Sequence, residues 1–260
     1  MEVFCCDESN AQATKNVDFF VYGGLAIHGD SIGPLSDEID ACRRAAGFTA
    51  DASLKFRTTS RPPNVLLEEW TGVKAATIAA CKVHGAKLIA AVIHHRIARG
   101  QKAHLTEWQL NTCIEEFNRR LTLSEDYGIV IIDRIGDQRE YSLLRDKFRV
   151  GGATPWGKNR EFKQIVSYSS TSDGASHVAS ATDVVLGSLA YCINQRNVDA
   201  VRCGDIFRSI EPMLWVPDAT ACDGKSKRGL IFNPASITAP SYVREYDELR
   251  AHLDRLTVTT

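Results

Sequence analysis

Apolar and polar positions along the chain change period several times, and each change marks an element. Residues 1–7 hold the apolar run Val3-Phe4-Cys5-Cys6 between Glu2 and Asp7, which reads as a strand. Residues 9–16 are polar and turn-like, and residues 19–28 (FFVYGGLAIH) form a second apolar run. Their short separation predicts an antiparallel hairpin. Gly23-Gly24 inside the second run predicts a bulge or a close approach of another backbone. Residues 35–46 have helical spacing, with Gly47 placed to end the helix. Residues 53–58 (SLKFRT) read as a third strand before Arg61-Pro62-Pro63 breaks the chain.

Beyond Pro63 helical and strand periods alternate. Helical spacing over 65–84, with Asn64 as N-cap and Gly85 as stop, gives way to a buried strand at 87–94 (KLIAAVIH). A long helix over 106–123 with Thr106 as N-cap follows, then a strand at 128–133 (GIVIID) and a helix over 137–148. Alternation of this kind predicts parallel strands joined by crossovers. Residues 151–159 read as a loop, 162–169 as a strand, 176–195 as a helix, and 198–210 as another helix ended by Pro212. A polar, partly basic loop spans 219–228. Tyr242, Tyr246, Leu249, Leu253 and Leu256 fall at helical spacing and predict a terminal amphipathic helix. The pattern defines an α/β protein with a mixed sheet flanked by helices. It is read as one domain over 1–260, with a core over about 1–195 and C-terminal helical additions over 196–260.

Composition narrows the function classes. A hydrophobic fraction of 44% and a charged fraction of 24% are ordinary for a globular chain of 260 residues, which can bury one sizeable core. A formal net charge of -1 gives no global field for nucleic acid, so such a partner needs a local basic groove. Lys158-Asn159-Arg160 and residues 225–228 (KSKR) are the basic clusters, with Trp156 beside the first as a stacking candidate. The eight cysteines include no CxxC pair, and adjacent Cys5 and Cys6 on a strand point to opposite faces. They read as buried thiols in a reducing, cytoplasmic compartment. No apolar run reaches the roughly 20 residues of a membrane helix, and the N-terminal run is too short for a leader. No GxxxxGK[ST] phosphate loop occurs. His94 and His95, with His104 nearby, are adjacent on a strand and cannot easily chelate one ion; they read as core or surface histidines.

The candidate chemistry lies in three aspartates. Asp7 and Asp133 close apolar strands and Asp183 lies in a late helix, where aspartate is a poor interior residue. Carboxylates held on rigid elements bind hard cations such as Mg²⁺ or Mn²⁺, and such a site can drive in-line displacement at phosphorus. Each aspartate taken singly also suits a turn or cap. Lys55 and Arg57 alternate with Leu54 and Phe56, so one face of that segment is basic.

Several motifs, in order, resemble the domain-of-unknown-function 3800 family, which is grouped with ribonuclease H-like folds. Asp7-Glu8-Ser9 is similar to its "DES" opening, and residues 19–27 to its second strand. Leu54-Lys55-Phe56 is similar to its strand lysine, residues 128–134 to its strand ending in aspartate, and residues 176–183 (SHVASATD) to the start of its late helix. The match covers roughly 1–195. It departs at Ser180 and Thr182, where the family has Gln and Ala, and at Asn10, where it has Gly. The resemblance implies a ribonuclease H-like mixed sheet and a metal-dependent nuclease or phosphodiesterase. Asp7, Asp133 and Asp183 would be catalytic and metal-binding, with Glu8 as a further ligand and Glu68 and Glu69 as rivals for that place. Lys55 and Ser9 would face the substrate, Mg or Mn would be the cofactor, and nucleic acid the partner. The alternative is a catalytically inactive module of the same fold that binds nucleic acid or a protein partner.

Overall fold

The hairpin expected from the first two apolar runs is present. β1 (Glu2–Ser9) and β2 (Phe19–His28) pair antiparallel from Glu2 against His28 to Ser9 against Val21. The computed structural model describes residues 1–9, 17–97, 102–134, 138–153, 159–172, 174–195, 200–216 and 229–257. β1 runs past Asp7, so this aspartate lies within the ladder, opposite Gly23, rather than at the strand's end. The ladder is continuous, so Gly23-Gly24 makes no bulge there. The glycines permit close approach instead: a Cβ on Gly23 would sit 2.5 Å from the Ile89 carbonyl oxygen, and one on Gly24 would strike the backbone of Cys5.

α1 (Gly29–Ala45) starts earlier than its spacing predicts, because His28 caps it by accepting from the Asp30 N–H at 3.4 Å. Gly47 then turns the chain with φ +80°. Residues 53–58 are not a strand; they run without a ladder partner into a short 3-10 turn, Thr58–Ser60. α2 (Leu67–Val83) is capped by Glu69, which accepts from the Leu66 N–H at 2.8 Å. Asn64, the expected cap, donates to the Gly47 carbonyl instead. The third strand is β3 (Lys87–His94), antiparallel to β2.

α3 (Lys102–Leu123) carries the chain across the sheet to β4 (Gly128–Asp133), which pairs parallel with β1. α4 (Gln138–Val150) follows, then a small ladder of β5 (Gly152–Ala153) and β6 (Asn159–Arg160). β7 (Ile165–Thr171) joins β4 in parallel. After α5 (His177–Asn194) and α6 (Ala200–Ile210) comes β8 (Leu230–Asn233), parallel to β3, and α7 (Pro240–Thr257) ends the chain. The mixed sheet has the order β7-β4-β1-β2-β3-β8, and β2 alone runs against the rest.

The pleat divides the core in two. Cys5, Val21, Leu25, Leu88 and Val92 face α1, α2, α5, α6 and α7. Phe4, Cys6, Phe20, Ile93 and Val130 face α3. Cys5 and Cys6 therefore take opposite sides, and no described cysteine is in a disulfide. α5 packs on β1 and β2 while α1, α2 and α6 cover its outer side, which explains its nearly continuous apolar sequence. The segment after residue 195 is more than a helical addition. β8 extends the sheet, and Phe207, Tyr246, Leu249 and Leu253 complete the core on the α5 side. No helix among the described residues is long and apolar enough to cross a membrane.

Candidate functional site

Register brings two of the three aspartates side by side. Cys6 pairs with Ile132 in the parallel β1–β4 ladder, so Asp7 and Asp133 are the next neighbours and project from the same face. Thr171 follows Asp133 on β7, and Gly23 lies on the other side of Asp7. The same face carries α5, whose buried length holds Asp183 above β1. Ser176 starts that helix by accepting from the Val178 and Ala179 N–H groups.

Each carboxylate is oriented by one backbone N–H. Asp7 Oδ1 accepts from Glu8 at 2.6 Å, Asp133 Oδ1 from Arg134 at 2.9 Å, and Asp183 Oδ2 from Phe56 at 2.5 Å. Among the described residues the second oxygen of each accepts no protein hydrogen bond.

Their charges act on one another. Burial pushes the Asp7 carboxyl up to about 7, Asp183 and then Asp133 push the same way, and the Glu8 N–H and Lys55 oppose them. Burial also raises Asp183, with Asp133 adding to it, while the Phe56 N–H, Lys55 and Arg57 pull it down. The neighbouring carboxylates thus disfavour ionisation of Asp7 and Asp183, and a cation would offset that repulsion. Near pH 7 Asp7 is therefore partly protonated, and a cation beside it would favour its ionised form. The donor set is all oxygen, which suits Mg²⁺ or Mn²⁺ and not a soft metal. No group of three His, Cys, Asp or Glu side chains among the described residues is gathered as a ready-made metal cage.

Lys55 lies close enough to affect both Asp7 and Asp183, and the alternation of β1 puts Ser9 on the Asp7 face. Glu8 takes the opposite face. It accepts from the Thr106 hydroxyl of α3 at 3.0 Å, so the structure does not bring it together with the aspartates. Glu69 is committed to capping α2, and Glu68 is exposed beside it. Ser180 and Thr182 are both buried on α5, where Thr182 bonds back to the Val178 carbonyl at 2.9 Å.

The histidine pair is built into the core. His94 stacks edge-on against Phe19 and His95 lies near Phe20, on opposite faces. The His104 side chain, Trp156, Lys158 and residues 225–228 lie outside the described residues, and Arg160 pairs with Glu115 at 2.9 Å.

One feature escapes a linear reading, and one motif that the sequence does show is not a site. The Phe56 amide that holds Asp183 has no side-chain signature. Gly187, one turn beyond Asp183, is the signal that was available, since a glycine inside an apolar helix marks a close approach. A Cβ there would overlap the Phe56 ring. The pentad Gly29-Asp30-Ser31-Ile32-Gly33 also has the spacing of a nucleophile elbow, a match that needs a strained serine between strand and helix. Ser31 is instead an ordinary residue of α1 without positive φ, so the pentad is a helix start.

No family model matches the chain, and no curated protein matches it either.

Proposed function

We propose that the protein is a metal-dependent nuclease or phosphodiesterase of ribonuclease H-like type. Asp7, Asp133 and Asp183 would hold Mg²⁺ or Mn²⁺ and the reaction would hydrolyse a nucleic-acid phosphodiester. The observation that carries this reading is the shared field of the three aspartates, each with one oxygen lacking a protein donor. The β1–β2 hairpin, with β3 antiparallel to β2 and the helix-linked β4 and β7 parallel to β1, supports the layout that the resemblance to the domain-of-unknown-function 3800 family implies, with Asp7 and Asp133 on neighbouring strands.

A bound metal would supply positive charge for the phosphate oxygens and a water of lowered pKa. The chain itself supplies the rest. The Glu8, Arg134 and Phe56 amides fix the carboxylate rotamers. Asp7 would be held as the carboxylate beside a bound cation, its proton released to solvent. Lys55, already beside the cluster, offers an ammonium to a substrate phosphate.

The direct test is cleavage of single- and double-stranded DNA and RNA with Mg²⁺ or Mn²⁺. The expected result is metal-dependent cleavage that falls about a hundredfold or more in Asp133→Asn and in Asp183→Asn. Absence of cleavage by the wild type on all four substrates would overturn it. That outcome favours an inactive module of the same fold that binds nucleic acid or a protein. The Phe56 bond to Asp183 is the observation on that side, because a purely structural aspartate makes the same contact.

A further inference from the structure

A cavity of about 580 Å³ lies among α2, α5, α6 and the segment carrying Phe56 and Arg57. That size is within the roughly 300–1,000 Å³ of small-molecule sites. It adjoins the aspartate cluster, because Phe56 is at once a wall of the cavity and the residue whose N–H holds Asp183.

The walls combine aromatic rings with cations. Lys74 Nζ stands 5.1 Å from the Phe56 ring centre and 5.9 Å from that of Trp70, and donates to the Phe56 carbonyl at 3.3 Å. The Arg202 guanidinium lies 5.8 Å from the Tyr191 ring centre. Arg57 lines the mouth and is exposed. Among the described residues Lys74 has no carboxylate at ion-pair distance. Burial and the charge of Arg202 both hold its pKa below the ordinary lysine value, and Asp183 opposes them only in part. The acid in the lining, Asp205, is bonded to Arg208 at 2.5 Å. The cavity thus carries more basic than acidic side chains and is flanked by planar rings, with hydroxyls from Thr58, Thr71 and Ser209 around it. An anion beside Lys74 would offset the unfavourable charge that Arg202 presents to it, and an attached planar ring would stack on aromatic walls.

We propose that this cavity binds a nucleoside monophosphate, with the phosphate held by Lys74 and Arg57 and the base packed against Tyr191 and Phe56. The assignment rests on the cavity alone; where the nuclease reading also holds, the cavity is a subsite for one nucleotide of the substrate.

The test is calorimetry on the full chain without metal, with AMP and UMP as ligands and adenosine and inorganic phosphate as separate arms. AMP or UMP is expected to bind, with adenosine and phosphate each about tenfold weaker or worse. Lys74→Met and Arg57→Gln should each weaken nucleotide binding about tenfold, as loss of a charge-assisted hydrogen bond does. Melting curves by circular dichroism establish that the variants are folded, and Arg57, being exposed, serves if Lys74→Met is not. Three results would overturn the assignment: no binding of either nucleotide, affinity unchanged in both variants, or phosphate alone binding as tightly as the nucleotide. Nucleotide binding without metal-dependent cleavage would sink only the nuclease reading, and cleavage without nucleotide binding only this one.

Discussion

At Asp7, burial and two neighbouring acids act in the same direction, and this gives the metal-free protein a definite pH dependence. The carboxyl moves from an ordinary 3.8 to about 7 in the folded chain. Between those values the folded state holds a proton that the unfolded state has released. Stability therefore falls as pH rises through that window and levels off above about 7. Moving the carboxyl from 3.8 to about 7 corresponds to at most about 4 kcal/mol. Urea unfolding at pH 4.5 and 7.5 should show the wild type losing stability across the interval by more than Asp7→Asn does, and equal slopes would contradict the shift. The aspartates were legible in the sequence because they end or interrupt apolar runs. The placement of Glu8 was legible too: the alternation that separates Cys5 from Cys6 also separates Asp7 from Glu8, and it outweighs adjacency in a motif. The Phe56 amide was not legible, since a backbone donor leaves no trace in residue type.

The contact between α5 and the segment before α2 shows why element boundaries were harder to read than elements. Residues 53–58 alternate like a strand, yet the Phe56 N–H goes to Asp183 and its ring rests over Gly187. The alternation serves two tertiary surfaces and no ladder. Gly187→Ala should push Phe56 off the helix and weaken the amide bond to Asp183. Overpacking of this kind costs about 1–3 kcal/mol, measurable by denaturant unfolding, and the Phe56 amide resonance should move with it. A variant as stable as wild type with an unshifted resonance would show that Phe56 does not hold Asp183. The long strands and helices were readable because their periods are strong: residues 87–94 and 128–133 match β3 and β4. β8 was missed because four residues carry too short a pattern, and its place at the sheet edge is fixed by β3 rather than by its own sequence.

For the molecule as a whole, one mixed sheet separates two apolar cores, and Asp7, Asp133 and Asp183 lie on β1, β4 and α5. Because β8, α6 and α7 complete the larger core, a chain cut after residue 195 should lose cooperative unfolding and expose apolar surface to a reporter dye. A sharp, dye-free transition in that fragment would restore the division into a core and an appendage. The electrostatic coupling of Asp7, Asp133 and Asp183 from three separate elements is the property on which the proposed function depends. It is tested most directly by calorimetric titration of Mg²⁺ and Mn²⁺ into the wild type and into the double variant Asp7→Asn with Asp183→Asn. Binding by the wild type, with protons released near neutral pH, and its loss in the variant are the predicted result. Equal binding by both proteins, or none by the wild type, would contradict a shared carboxylate metal site.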